Sequence, residues 1–520
     1  MNYFKKYNLI IGWIAFAVSA VVYLMTMEPT ASFWDCAEFI STSYKLEVGH
    51  PPGSPLFMMI ARFFTLFAPS TEYVAMMVNT MSSLASAFTI LFLFWSITHM
   101  GRKIYGKAEN ELTSGESWTV LGAGLIGALA YTFTDTFWFS AIEGEVYALS
   151  SMFTALVFWA ILKWEDVADR PHANRWLVLI AYLMGLSIGI HILNLLTIPA
   201  LVFVYYFRKY PNTTQWGVIK AILAAGMVLG FVYIVMISWS VAIGAWFDKL
   251  FVNTFGLPVN SGITFFAFAA FALAAWGIWY TYKHGKAFAN TIILCATVIL
   301  LGYSSYASVI IRAEANPPMN SNDPSNPYAL LSLLGREQYG NRPLLKGPYY
   351  SSPMVGMIEK PFYYLGESGK YEPGKIVSGY EYAPGFEYFF PRMYSVRDSH
   401  VQEYKSWGKV TGRKVPYRDE MLTVPTFGEN LHYFFAYQLH FMFGRYFMWN
   451  FAGRQSDVQS TGEYTDGNWL SGIKPIDELH LGPQDNLPSE MAANKGRNQY
   501  YLLPFLLGFL GLLCVFCCVF

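Results

Sequence analysis

Two carboxylates and a histidine lie close together in the stretch that follows the first apolar run. Asp35 and Glu38 are three residues apart, so a helix would place both carboxylates on one face. His50 follows, in the rigid sequence His50-Pro51-Pro52-Gly53. A carboxylate pair at the boundary of water and lipid suits general-base chemistry on a lipid-linked substrate. The alternative reading is that these acids are solvated surface groups or helix caps.

A second pair of acids, Glu143 and Glu145, lies in a very short turn between two apolar helices. Acids so close to a bilayer are costly and tend to be retained for a reason. Because they are two residues apart, they cannot share one helical face, and the sequence predicts that at most one points into a site. Glu145 begins the next helix, where the helix dipole alone would favour a carboxylate.

Three further side chains are candidates for binding a donor or an acceptor. His191 lies in or at the outer end of an apolar span, where a packing histidine is the alternative reading. Arg312 directly follows an apolar run, and Arg336 lies in GREQYG. The guanidinium fork matches phosphate oxygens, although one arginine after a span is usually a snorkelling anchor. No cofactor and no metal ligand are predicted; a divalent ion between Asp35 and Glu145 is the one metal alternative left open.

The elements that must position these residues are membrane helices. Of the 520 residues, 54% are hydrophobic and 13% are charged, against about a quarter charged in an average soluble domain. Apolar runs of about 17–25 residues can cross a bilayer. The candidate runs are 8–26, 73–99, 118–139, 146–163, 176–191, 193–207, 217–240, 263–282, 288–311 and 501–520. They predict an all-α polytopic membrane protein with about ten transmembrane helices.

Basic residues predict the orientation of these helices. With the N-terminus inside, the inward loops hold most of the Lys and Arg, as the positive-inside rule requires. The segments that then face outward are 27–72, 140–145, 241–262 and 312–500. Within 27–72 we expect two juxtamembrane helices joined by a stiff corner, the second from about Ser54 to Phe67.

Three domains are expected along the chain. Residues 1–311 form the transmembrane module with the outward catalytic loop 27–72, and 312–500 form an outward soluble α+β or irregular region. Within that region, 431–451 mixes apolar and polar residues and predicts an interfacial helix. The final helix 501–520 ends inside an apolar run without a basic flank, which predicts a truncated chain.

Several function classes are excluded. Lys and Arg number 35, as do Asp and Glu, so no global electrostatic footprint for nucleic acid exists. The sequence holds no P-loop, dinucleotide fingerprint, H-E-x-x-H or nucleophile elbow. These absences argue against ATP-driven transport and zinc proteolysis.

The first-loop signature FWDCAEFISTSYKLEVGHPPGSPLF, with IEGEVYAL and the later NSNDPSNP, REQYG and RYFMWNFAGRQSD, resembles a known family. It is similar to the C-fold (GT-C) membrane glycosyltransferases. The nearer resemblance is to a bacterial family, long catalogued as a domain of unknown function, that includes the animal transmembrane protein O-mannosyltransferase acting on plexins. The adjacent Asp-Glu pair of the mannosyltransferases is spread here to Asp-x-x-Glu, which leaves the role of Glu38 open.

The resemblance implies inverting transfer of a sugar, mannose being the leading candidate, from a polyprenyl-phosphate donor to Ser or Thr hydroxyls of an exported acceptor protein. It implies Asp35 as general base, with Glu38 and His50 at the accompanying motif positions. It also implies a bacterial inner membrane, a cytoplasmic N-terminus and a periplasmic active site, with membrane lipid as a further partner. The alternatives are a lipid-linked sugar flippase or transporter, and a non-catalytic scaffold. The clustering of acids at one face and the long outward region argue against a transporter.

Overall fold

A computed structural model of the chain describes residues 3–340 and 342–519. Contacts divide the chain into two compact units. The first contains Met1–Phe133, Phe137–Tyr339 and Tyr363–Gly374, and the second contains Thr134–Thr136, Gly340–Phe362 and Lys375–Phe520.

Up to residue 339 the regular structure is helical. The α-helices are α1 Tyr3–Thr26, α2 Cys36–Lys45, α3 Pro55–Thr65, α4 Val74–Ile104, α5 Ser114–Thr132, α6 Asp135–Ala141, α7 Val146–Val167, α8 Arg175–Ile188, α9 Ile198–Lys209, α10 Gln215–Gly230, α11 Ser240–Phe255, α12 Ser261–Lys283, α13 Ala287–Tyr303, α14 Ala307–Glu314 and α15 Pro327–Leu334. A π-helical stretch, Phe231–Trp239, joins α10 to α11 without a break.

Later residues combine short strands and helices, as predicted for an α+β region. The strands are β1 Lys346–Pro348, β2 Met354–Leu365, β3 Tyr371–Tyr382, β4 Glu387–Phe389, β5 Arg413–Tyr417 and β6 Glu420–Val424, paired as β1–β4, β2–β3 and β5–β6. In β5–β6 the register is antiparallel and pairs Arg413 with Val424. The helices are α16 Asp398–Gly408, α17 Phe427–Tyr433, α18 Arg445–Phe451, α19 Lys474–Leu481, α20 Ser489–Ala492 and α21 Leu503–Val519.

The protein is a multi-pass membrane protein, but ten spans are not confirmed. Among the described residues, seven helical stretches are long and apolar enough to cross a bilayer, or eight with a bent pair. The seven are Tyr3–Thr26, Thr71–Ile104, Val146–Val167, Ile192–Lys209, Gln215–Phe255, Ser261–Lys283 and Ala287–Glu314.

The difference lies in three predicted runs. Run 118–139 is the bent pair, with an angle of 69° between α5 and α6. Helix α8 has 14 residues, about 21 Å at 1.5 Å per residue, which is shorter than the hydrocarbon core of about 30 Å. The apolar run at the C-terminus is α21, of which residue 520 lies outside the described part, and it too is short.

Two further expectations change in detail. The outward loop predicted over 241–262 is mostly helix, because α11 continues to Phe255 and only a short turn precedes α12. Residues 431–451 lie in a helical run from α17 through a π-helical stretch, Phe434–Gly444, into α18. That run is not among the candidate spans of the described residues.

Short helix α8 is held by close packing on α13. A Cβ atom on Gly185 would lie 2.4 Å from the carbonyl oxygen of Ile299, and one on Gly302 would lie 2.4 Å from the amide nitrogen of Leu186. Only glycine permits backbones this close, the usual device where membrane helices associate. Helix α8 therefore has a fixed place in the first unit, although it is too short to cross a membrane upright.

Candidate active site in the first loop

The two acids of the first loop lie in different surroundings. Asp35 directly precedes α2, and its side chain makes no capping hydrogen bond to the helix. That side chain is 60% exposed, whereas the side chain of Glu38, in the first turn, is 27% exposed. Asp35 is therefore the carboxylate of this pair that a substrate can reach.

The carboxylate of Glu38 is hydrogen-bonded to His50. One oxygen of Glu38, Oε1, accepts the backbone N–H of His50 at 2.6 Å and lies 3.0 Å from its ring Nδ1. This hydrogen bond lowers the pKa of Glu38 and raises the pKa of His50. The other ring nitrogen, Nε2, lies 3.8 Å from Oδ2 of Asp35. His50 thus lies between two carboxylates, one half-buried and one exposed, and both favour the charged form of its ring.

The predicted stiff corner is present after His50. The amide of Gly53 donates to the carbonyl of His50 at 2.8 Å, and α3 begins at Pro55, where a proline needs no hydrogen-bond partner. The first turn of α3 is fixed to the end of α8, because Leu56 donates its amide proton to the carbonyl oxygen of Gly189 at 2.8 Å. The predicted helix from about Ser54 is therefore confirmed, and it orients the histidine.

Residues far along the chain hold the end of α2. Val48 forms a parallel bridge with Asn320. Arg312 donates from Nε to the carbonyl of Leu46 at 2.6 Å and from a terminal nitrogen to that of Lys45 at 3.2 Å. The Arg312 guanidinium therefore closes the C-terminal end of α2, in the position where cations favour a helix.

Glu143 anchors the first loop through a hydrogen bond with Ser32. Its Oε2 accepts the hydroxyl proton of Ser32 at 2.7 Å, and burial raises its pKa. Cys36, at the start of α2, is buried beside it, and burial together with Glu143 and Glu145 raises the pKa of the thiol to about 12. Cys36 is accordingly a protonated packing residue.

Glu145 interacts with the other side of the loop. It precedes α7, and its side chain accepts the amide proton of Val146 at 3.0 Å. Burial raises its pKa to about 7, Asp35 adds to this increase, and His50 opposes it. Since Glu143 and Glu145 lie in a turn, the helical-face argument does not apply: each acid interacts with a different part of the first loop.

Between these acids, Gly144 lies in tight packing. A Cβ atom there would lie 3.0 Å from Cγ1 of Val78, 3.1 Å from Oδ1 of Asn79 and 3.2 Å from Cγ1 of Ile40. We expect Gly144→Ala to lower the free energy of unfolding by about 1–3 kcal/mol, because three packed neighbours must move. Thermal unfolding of the purified protein measures this. Gly122→Ala, in α5 with no atom within 4 Å of the added Cβ, is the matched control and should be neutral or stabilising.

Glu145 predicts a pH dependence of stability. The folded state raises its pKa to about 7 through burial, whereas an unfolded glutamate titrates near about 4.3. The protonated Glu145 side chain therefore contributes its full stability at pH values below the pKa of the unfolded state. This contribution is lost as the pH rises through the folded-state pKa of about 7. Between about pH 5 and about pH 8 the melting temperature of Glu145→Gln should fall less than that of the wild type. Glu72→Gln, at an exposed acid before α4, should keep the wild-type slope; an equal slope in Glu145→Gln would contradict the assignment.

Tyr147 links His191 and Arg336 to the first loop, because it contacts the ring of His191 and interacts electrostatically with Asp35, Glu145 and Arg336. His191 precedes a 3-10 turn, its Nδ1 accepts the amide proton of Leu193 at 3.2 Å, and its ring lies 5.5 Å from that of Tyr147. Burial lowers its pKa, and the positive charge of Arg336 lowers it further. Arg336 itself is exposed and has a positive φ of 51°. The structure thus brings Asp35 together with His50, and Arg336 towards His191.

Within residues 3–340 and 342–519, no three side chains of His, Cys, Asp or Glu are arranged to hold a metal ion.

Several supporting residues were not predicted from the sequence. Ser32 binds Glu143, and Asn79 of α4 donates to the carbonyls of Glu28 and Thr30 at 2.6 and 3.0 Å. Neither has a distinctive motif. Gly144 had a signal, because a glycine between two acids in a short turn indicates close packing.

Comparison with known proteins identifies the part of the chain that carries these residues. Residues 35–214 match the family model of the protein O-mannosyl-transferase TMEM260 N-terminal domain. The resemblance predicted from the first-loop signature is confirmed. The TMEM260 match begins at Asp35 and includes the site residues up to His191; Arg312 and Arg336 lie beyond it.

Two curated relatives carry the same name. The chain is 27% identical over 209 residues to protein O-mannosyl-transferase tmem260 of Dictyostelium discoideum, which covers 39% of this chain and 23% of the relative. It is 25% identical over 173 residues to TMEM260 of Mus musculus, covering 33% of this chain and 22% of the relative. The chain thus spans about a quarter of the length of these relatives. Residues 340–435 match a family of unknown function (DUF8416), and no solved structure matches the chain.

Proposed function

We propose that the chain is a membrane glycosyltransferase that moves mannose from a polyprenyl-phosphate carrier to Ser or Thr hydroxyls of an exported protein. The observation that carries this proposal is Asp35: an exposed carboxylate without a helix-capping bond, 3.8 Å from Nε2 of His50, at the first residue of the TMEM260 match. The curated relatives are named protein O-mannosyl-transferases.

In the proposed reaction, Asp35 takes the proton of the acceptor hydroxyl as the hydroxyl oxygen attacks the anomeric carbon. The new bond forms as the bond between that carbon and the phosphate oxygen breaks, and the electron pair leaves with the phosphate. Attack opposite to the leaving group inverts the anomeric configuration. Phosphate is already a good leaving group, so the protein must chiefly orient it and neutralise its charge.

The charges for that purpose are His50 and Arg336. The hydrogen bond that the Glu38 carboxylate accepts raises the pKa of His50, which favours the charged form of its ring. Arg312 donates to two backbone carbonyls, whereas Arg336 is exposed near His191. We therefore assign Arg336, rather than Arg312, to the donor phosphate, with Glu38 as a positioning residue that acts through His50.

A lipid donor is supported by an apolar groove in the first unit. It has a volume of about 570 Å³ and is lined mainly by α12, α13 and α14. Its lining includes Ile310, Ile311 and Glu314 of α14, the helix from which Arg312 reaches the end of α2. An isoprenoid chain in this groove would therefore lie next to the helix that holds the first loop.

The test uses membranes containing the protein, a polyprenyl phosphate carrying labelled mannose, and an exported acceptor protein. Label in the acceptor, released by β-elimination as a sugar linked to Ser or Thr, supports the proposal. Label that crosses the bilayer on an unchanged lipid supports the flippase alternative instead. The anomeric configuration of the product, read by NMR, tests inversion separately.

A further inference from the structure

A polar cavity of about 440 Å³ lies at the other end of the membrane helices from Asp35. It is bounded by the connection between α7 and α8 and by the connection between α12 and α13. Helix α7 begins next to Glu145 and has 22 residues, a length of about 33 Å. The cavity is therefore about one bilayer thickness away from the first loop, at the depth of the opposite head groups.

Hydrogen bonds fix both walls of this cavity. The side chain of Asn174 donates to the hydroxyl of Thr291 at 3.2 Å, which ties the two connections together. Asn290 donates to the carbonyl of Ile278 and to the hydroxyl of Thr281, each at 2.9 Å. The cavity is therefore a defined space between two anchored turns rather than a gap between loose loops.

The cavity is basic. Arg170 and His172 line it, and no Asp or Glu is among the described residues of its wall. Lys283, the last residue of α12, and Lys286, in the α12–α13 connection, do not line the cavity; each contacts an aromatic ring, at 5.0 and 5.1 Å. An anion entering the cavity would therefore meet the guanidinium group of Arg170 and the ring of His172.

The acids at the end of α7 and in the α7–α8 connection form ion pairs with cations outside the cavity wall. Glu165 and Asp166 form ion pairs with Lys103 and Arg102 at the end of α4. Asp169 pairs with Arg208 at the end of α9. Among the described residues, no carboxylate of the cavity wall is therefore available to pair with Arg170.

We infer that this cavity binds a phosphate-bearing anion. Arginine suits phosphate because its planar fork can donate two hydrogen bonds. At head-group depth, basic pockets between membrane helices bind acidic phospholipids. The neighbouring Tyr282 lines the cavity and is 81% exposed, which suits an aromatic residue at the membrane interface. A free soluble phosphate offers the same chemistry, so an experiment must separate the two sources.

The experiment measures lipids retained by the full chain in native mass spectrometry, after incorporation into nanodiscs of phosphatidylcholine with or without phosphatidylglycerol. The wild type should retain phosphatidylglycerol in preference to phosphatidylcholine. Arg170→Gln should weaken that retention by about tenfold, because it removes a hydrogen bond to a charged phosphate group in the cavity. Arg175→Gln is the matched control, because Arg175, the first residue of α8, is an exposed arginine that does not line the cavity.

A second arm adds inorganic phosphate or glycerol phosphate to the nanodiscs. If the added phosphate displaces phosphatidylglycerol from the wild type, and causes no additional loss of phosphatidylglycerol from Arg170→Gln, a soluble phosphate competes for this cavity. No displacement identifies the lipid. Equal retention by Arg170→Gln, Arg175→Gln and the wild type, with unchanged melting temperatures, overturns the inference. This outcome is independent of mannosyl transfer.

Discussion

Asp35→Asn is expected to lower mannosyl transfer by about 10²–10⁴-fold, the usual contribution of a general base. The substitution keeps the size of the side chain but removes the proton acceptor. Because Asp35 is exposed and makes no capping bond to α2, the fold should be unaffected. The measurement is the initial rate of label transfer to the acceptor protein, with donor binding and melting temperature recorded for the same preparation.

Glu72→Gln is the matched control for this prediction, since Glu72 is an exposed acid of the same predicted outward loop, after α3. It should transfer at the wild-type rate. If Asp35→Asn binds donor and still transfers within about threefold of the wild type, the base assignment is wrong. A loss of donor binding would instead assign Asp35 to positioning.

The largest effect on stability is expected at Asp248 of α11, which is fully buried. Its carboxylate accepts the amide protons of Gly262 at 2.7 Å and Asn260 at 3.0 Å, and the hydroxyl proton of Tyr371 at 2.7 Å. Asp248→Ala leaves these buried donors without a partner, at about 1–3 kcal/mol for each. We expect the free energy of unfolding to fall by at least about 3 kcal/mol.

Thermal unfolding in nanodiscs measures this loss, and hydrogen exchange locates it. Faster exchange is expected at the start of α12 and around Tyr371. Asp248→Asn retains one acceptor oxygen and should lose less, and Tyr371→Phe, which removes one donor together with its bond, should lose least. Equal melting temperatures for Asp248→Ala and Tyr371→Phe would show that the carboxylate does not anchor these segments.

Local sequence rules predicted much of the first loop. The proline pair required a break, and a helix did begin at Pro55, close to the predicted Ser54. The spacing of Asp35 and Glu38 correctly indicated a helix over Glu38. It did not indicate that Glu38 would turn to His50, because that contact depends on how the corner after α2 folds back.

Long-range contacts could not be predicted in the same way. The sequence leaves Arg312 as either a phosphate ligand or a snorkelling anchor and does not indicate that it donates two hydrogen bonds to carbonyls at the end of α2. Asp248 carried no motif, although three segments depend on it. The ten spans that hydropathy predicts are not confirmed, because hydropathy registers apolar length but neither the bend at the end of α5 nor the glycine packing of a short α8.

The hydrogen bonds that Arg312 donates to the end of α2 have a consequence for biosynthesis. Arg312 and Leu46 are 266 residues apart, which at 5–20 residues per second is roughly 15 to 50 s of translation. During that interval the loop with Asp35 and His50 exists without the partner that closes its helix. Its acids are therefore present while later helices are still being synthesised. The first loop therefore becomes competent only as a late event of assembly, and chain arrest before residue 312 should leave an inserted but inactive protein.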